Sequence, residues 1–129
     1  LYYLSKSDED WLNDRVISPT MVENVSQDTA VELTINNYLL EELNQLIQVA
    51  ENKGVRVELV VNPYYPPYVK KMNSYYDFIG KIEAKTKRKV KDYSRTLNDT
   101  NGFADYQHLN KAGSKQYLDL LLKDKLFDK

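Results

Sequence analysis

Cysteine is absent from this chain, and histidine occurs once. Without cysteine there is neither a disulfide nor a thiolate metal site, and because secreted and cytosolic proteins alike can lack the residue, the compartment stays open. The single histidine, His108, excludes a metal site built from several imidazoles. No apolar run approaches the roughly 18 residues of a membrane span, so no membrane segment is expected in this chain. The opening stretch LYYLSKSDEDW also lacks the basic-then-apolar order of a signal peptide. A net charge of -1 argues against a generally nucleic-acid-binding surface. Methionine is missing from the first position, which leads to the expectation of a fragment or a processed product.

What is present suits one domain: 129 residues with 42% hydrophobic content can build a real core once, not twice. Residues 1–35 form an N-terminal segment with little pattern. Ser7 followed by Asp8, Glu9 and Asp10 suggests a short helix start, and Ser18 and Pro19 are expected to break that helix. The stretch VENVSQDTAVELTI fits either an alternating strand over Val31, Leu33 and Ile35 or an early start to the next helix. No repeat and no Gly- or Ser-rich linker interrupts the chain.

From Asn36 onward the pattern is clearer. Leu39, Leu43, Leu46, Ile47 and Ala50 paint an apolar stripe at helical spacing, and Gly54 closes that helix. VRVELVV, residues 55–61, reads as a strand whose last three residues are buried on both faces. After the loop NPYYPPY, a second helix is expected over Tyr68, Met72, Tyr75, Tyr76, Ile79 and Ile82, and RKVKDYS gives a second strand. Strand, helix and strand make a βαβ unit with two parallel strands. Asn110 is a good N-cap for a closing helix with Tyr117, Leu118, Leu121 and Leu122 on its apolar face, so residues 36–129 read as βαβα.

That topology locates the chemistry. Ligands of open parallel sheets bind beyond the carboxyl ends of the strands, and here two loops start at those ends, NPYYPPY and SRTLNDTNGFADYQH. The second loop carries Asp105 and His108 at a D-x-x-H spacing, which lets both side chains face one direction. A carboxylate on Nδ1 would fix the imidazole tautomer and leave Nε2 free as a general base for a hydroxyl nucleophile. The alternative is a histidine that only caps or packs near the helix start.

The stretch DYQHLNKAG, after a strand and opening the final helix, resembles the C-terminal D-x-x-H block of SGNH/GDSL-type hydrolases, most closely bacterial relatives in which it reads D-x-x-H-L-N-x-x-G. The likeness covers about residues 36–127. It implies a three-layer α/β/α sandwich with a parallel sheet, flavodoxin-like in build, of which this chain is the C-terminal portion. It also implies His108 as general base, Asp105 as the acid that orients it, and no metal or organic cofactor. The expected substrate is a small-molecule or carbohydrate ester, and an extracytoplasmic or cell-envelope setting in a bacterium accompanies the resemblance. The family's Gly-Asp-Ser-like nucleophile motif does not occur between Leu1 and Lys129, nor do its glycine and Gly-x-Asn-Asp oxyanion blocks. Either a longer enzyme supplies the missing serine, or this relative has lost catalysis and kept the scaffold as a binding or interaction domain.

Ser94 ends the second strand on the functional edge, but DYSRT lacks the small residues of a nucleophile turn. Ser74 reads as a helix-surface residue, and Ser114 as part of the closing helix's first turn beside a Gly113 that permits close packing. Asn62, Tyr64 and Tyr65 are the candidate substrate-binding residues, since aromatics at this edge can stack on a sugar ring or line an acyl pocket. The tyrosines can equally cover the sheet end and stiffen the loop with Pro63, Pro66 and Pro67, while Tyr75 and Tyr76 are expected in the core. The basic run KIEAKTKRKVK reads as a solvated face rather than a site for an anionic partner.

Overall fold

The computed structural model describes residues 14–27 and 30–128; the helix expected after Ser7 lies outside the described residues. The first described helix, α1 (Pro19–Gln27), starts where a break was expected. Proline suits the first helical position because its ring presets φ and its missing N–H would have been unpaired there anyway. Ser18 caps the turn, its Oγ accepting from Met21 N–H at 3.3 Å and its carbonyl from Val22 N–H at 3.0 Å. The alternating strand shrinks to the two residues of β1 (Val31–Glu32).

Helix α2 (Asn37–Asn52) ends at Gly54 as expected, and its start is capped by the residue before it. Asn36 Oδ1 accepts from Leu39 N–H, and Gly54 at φ +77° lets the N–H groups of Gly54 and Val55 turn back onto the carbonyls of Glu51 and Ala50. Its sheltered face runs through Leu40, Leu43, Ile47 and Ala50, while Leu39 and Leu46 are exposed. The strand that follows is shorter than VRVELVV: only β2 (Leu59–Val61) pairs, because its parallel partner β4 (Val90–Asp92) is itself three residues long. Val60 is exposed, so β2 is not covered on both faces.

Between these strands the single helix expected from Tyr68 to Ile82 is broken into three pieces. They are α3 (Pro66–Val69), β3 (Met72–Asn73) and α4 (Tyr75–Thr86). β3 pairs in parallel with β1, with Asn73 Nδ2 donating to Glu32, and Ser74 takes a left-handed φ of +55° to start α4. Long-range strand pairing thus overrides a helical period. Tyr75 is buried and donates to Asp92 Oδ1 at 2.8 Å, whereas Tyr76 stands exposed. The basic run is largely paired, Lys85 with Glu41, Arg88 with Glu51, Lys89 with Glu83 and Lys91 with Glu58.

The architecture is therefore α/β, helices with two small parallel sheets, β1–β3 and β2–β4. Two compact units share it. One comprises Ala30–Val61 and Lys71–Asp92, with both sheets, α2 and α4. The other joins the described residues before Thr29 to Asn62–Lys70 and to the chain from Tyr93 onward. No described helix is long and apolar enough to cross a membrane.

The second unit holds the candidate site, and its core is Ile17, Val25, Tyr65, Leu97 and Phe103. Tyr117 and Leu120 of the closing helix α5 (Lys111–Lys123) pack against that core, while Leu118 and Leu122, expected inside, are exposed. The first turn of α5 lies against the 3₁₀ turn Thr100–Gly102. A Cβ on Gly113 would come within 2.0 Å of the Gly102 carbonyl oxygen, whereas one on Gly102 would lie 3.1 Å from Gly113 Cα. Gly113→Ala is expected to cost about 1–3 kcal/mol or more, and Gly102→Ala less, because both meet backbone but only the first overlaps it outright. Urea unfolding of the two variants checks the order; a Gly113→Ala midpoint equal to wild type would contradict it.

Candidate active site

Phe103 and Leu109 pair as an isolated antiparallel bridge, and inside it Ala104 N–H donates to the His108 carbonyl at 2.9 Å. Residues 103–109 are thereby closed into a short loop. Tyr106 pins its middle: the ring stacks on Tyr68 at 5.1 Å, and the hydroxyl donates to the Met21 carbonyl at 2.6 Å. Asn110 pins its end. Buried to 4% exposure, it accepts from Gly113 N–H through Oδ1 and donates through Nδ2 to the carbonyls of Arg15 and Asn101.

Within this loop the D-x-x-H spacing brings the two side chains together. Asp105 Oδ1 accepts from the N–H groups of Gln107 at 2.8 Å and His108 at 2.9 Å, an Asx-type turn that fixes the carboxylate before the imidazole is considered. His108 Nδ1 then lies 2.9 Å from Oδ1 and 2.8 Å from Oδ2. An ionised carboxylate has no proton to give, so Nδ1 carries the hydrogen, and in the neutral tautomer Nε2 has the lone pair. The imidazole is 57% exposed and Asp105 22%, so the acid sits behind the base. Nε2 has no protein partner among the described residues.

Partial burial pushes the Asp105 carboxyl up, but the Gln107 N–H, the His108 ring and the His108 N–H outweigh it, and the net displacement is below the usual carboxylate range. Asp105 is thus held as an anion that accepts from the imidazole and from two backbone N–H groups.

His108 lines an open cleft of about 260 Å³ with Asn62, Gln107, Leu109, Ser114 and Tyr117. The Tyr117 hydroxyl donates to Asn62 Oδ1 at 3.0 Å, joining α5 to the loop that follows β2. Burial pushes the Tyr117 phenol up, so it remains a neutral donor. Of the candidate residues, the cleft gathers Asn62, Asp105 through its bond to His108, and His108 itself. Tyr64 and Tyr65 are placed otherwise. Tyr65 is 3% exposed with its ring edge-on to Phe103, and Tyr64 is half-buried beside Tyr68. Their backbone N–H groups donate to Ser94 and Tyr106, so the loop after β2 is laid against the loop after β4.

Ser94 is fully buried, and Arg95 Nη1 donates to its hydroxyl at 3.3 Å. That burial excludes it as an accessible nucleophile. Ser74 belongs to the other unit, at the left-handed start of α4. Ser114 and Tyr117, which the sequence presents only as helix residues, stand one turn apart on the cleft side of α5. Their i, i+3 spacing was visible, but which face of α5 meets His108 depends on the loop closure. Among the described residues no three acidic or imidazole side chains converge as metal ligands. No family model matches the chain, and neither a curated protein nor a solved structure matches it.

A depressed carboxyl pKa stabilises the fold above the carboxylate's ordinary range, and that contribution is lost as pH falls through the folded value. Asp105→Asn keeps an oxygen for the two N–H groups and loses the charge. Wild type is expected to unfold at higher urea than Asp105→Asn near neutral pH, with the two midpoints converging in acid below the usual carboxylate range. A gap that stays constant with pH would contradict the anionic assignment.

Proposed function

We propose that this chain supplies the acid–base half of an SGNH-type serine esterase or O-acyltransferase acting on a small-molecule or carbohydrate ester. The observation that carries the reading is the bond of His108 Nδ1 to both Asp105 oxygens, with Nε2 left without a protein partner among the described residues and the residue lining an open cleft. In the reaction Nε2 takes the proton of an attacking hydroxyl as its oxygen bonds to the acyl carbon, and the carbonyl π pair moves onto oxygen. Collapse of that oxyanion expels the alcohol, which leaves with the proton from Nε2. Asp105 stabilises the transient imidazolium without accepting its proton.

The nucleophile on this reading is a serine outside the described residues, since Ser94 is buried and no described serine hydroxyl, that of Ser114 in the cleft included, is bonded to Nε2. The parallel pair β2–β4 with α4 between its strands is compatible with a three-layer α/β/α sandwich of which these residues form part. A second reading, a non-catalytic binding domain on the same scaffold, is favoured by one observation, the lack of a Gly-Asp-Ser-like motif in the chain.

Fluorophosphonate labelling of the intact protein separates the two. The enzyme reading expects labelling at a single serine, slowed by about 100- to 10,000-fold in His108→Ala. Equal labelling of wild type and variant removes the general-base role, and no labelling of either favours the binding domain.

A further inference from the structure

An acyl-transfer site needs hydrogen-bond donors waiting where the carbonyl oxygen becomes negative, and they act best when the protein already holds them in place. The chain has no Gly-x-Asn-Asp stretch to provide them. The cleft around His108 contains two side-chain amides, Asn62 and Gln107. Gln107 is exposed, and its side chain makes no hydrogen bond among the described residues, so binding a substrate would have to order it. Asn62 is different. Its Oδ1 is occupied by the Tyr117 hydroxyl, which directs the carbonyl end of the amide at α5 and leaves both Nδ2 hydrogens without a protein acceptor among the described residues.

The anchor is itself held. Tyr117 packs against the core of the unit, and its ring meets Tyr93 edge-on at 5.5 Å, so the hydroxyl that orients Asn62 is not on a free side chain. Pro63 follows directly and is fully buried, fixing the backbone beside Asn62. Base and amide donor therefore share one small cleft, each tied from behind by another residue: His108 by Asp105, Asn62 by Tyr117.

We propose that Asn62 Nδ2–H donates to the substrate's acyl carbonyl oxygen and to the oxyanion formed from it, with Tyr117 as the positioning residue that holds the amide. The proposal rests on the acyl-transfer reading. It names the group that meets the carbonyl, a role that reading leaves unfilled. As the π pair moves onto oxygen, the bond from Nδ2 becomes charge-assisted and strengthens, so its contribution falls on the transition state more than on substrate binding.

The test is steady-state hydrolysis of p-nitrophenyl acetate by the intact protein, comparing wild type with Asn62→Ala, Tyr117→Phe and His108→Ala. Asn62 is exposed, and Tyr117→Phe keeps the ring, so thermal midpoints close to wild type are expected for both. Asn62→Ala is expected to lower kcat by about 100- to 1,000-fold with little change in KM, and Tyr117→Phe to fall between it and wild type. If Asn62→Ala keeps kcat within about twofold, or only raises KM, while His108→Ala is inactive, the donor role is overturned and the acyl-transfer reading stands. If wild type does not hydrolyse the ester, or His108→Ala is as active as wild type, the reading itself fails and the donor role with it.

Discussion

The side chain of Asn110 is buried, and its three hydrogen bonds tie the first turn of α5 to the 3₁₀ turn before the functional loop and to the backbone at Arg15. A buried amide is costly when any of its groups is unpaired, so the segments around it are held to one arrangement. Asn110 N–H also donates to the Gly102 carbonyl, and the absence of a Cβ at Gly113 lets that same carbonyl approach the helix. The distance between the two ends of the loop 103–109 is therefore set by backbone contacts, and Asp105 and His108 inherit their placement from it.

Inside the loop the work is divided by burial. Asp105, less exposed than His108, has an oxygen occupied by two N–H groups and both oxygens within reach of Nδ1, and it stays ionised. His108 lines the cleft with Nδ1 committed to Asp105 and Nε2 without a protein partner among the described residues. This is the arrangement that general-base chemistry requires: a fixed tautomer, a compensated cation and access for a reactant. Opposite, the Tyr117 hydroxyl holds Asn62 in a parallel way, through a neutral donor rather than a charge.

Much of this is legible where the signal is local. Asn110 as a cap, Gly54 as a helix end, Gly113 as a close-packing residue and the pairing of β2 with β4 all follow from short-range chemistry or from strand, helix and strand in succession. The misreadings share a different cause. The helix expected from Tyr68 to Ile82 fails because Met72 and Asn73 pair with Val31 and Glu32, some forty residues earlier, a contact that periodicity cannot register. Leu39, Leu46, Leu118 and Leu122 lie at helical spacing yet outside the sheltered faces, since an apolar stripe several residues wide does not say which edge faces the neighbour. Pro19, a breaker by residue type, instead starts a helix, its missing N–H being harmless at that position. At the site, D-x-x-H could be seen, but the bond from Tyr117 to Asn62 spans 55 residues and the burial of Ser94 depends on packing.

Because His108 is the only histidine, one spectrum reports on the state of the site without assignment by mutation. A long-range ¹H–¹⁵N correlation of histidine-labelled protein, recorded where the imidazole is neutral, distinguishes the protonated nitrogen from the one that bears a lone pair. The expected result is a protonated Nδ1 and an unprotonated Nε2, with the Nδ1 proton shifted downfield by its bond to Asp105. A protonated Nε2, or rapid exchange between the two tautomers, would contradict the claim that Asp105 prepares His108 as a base.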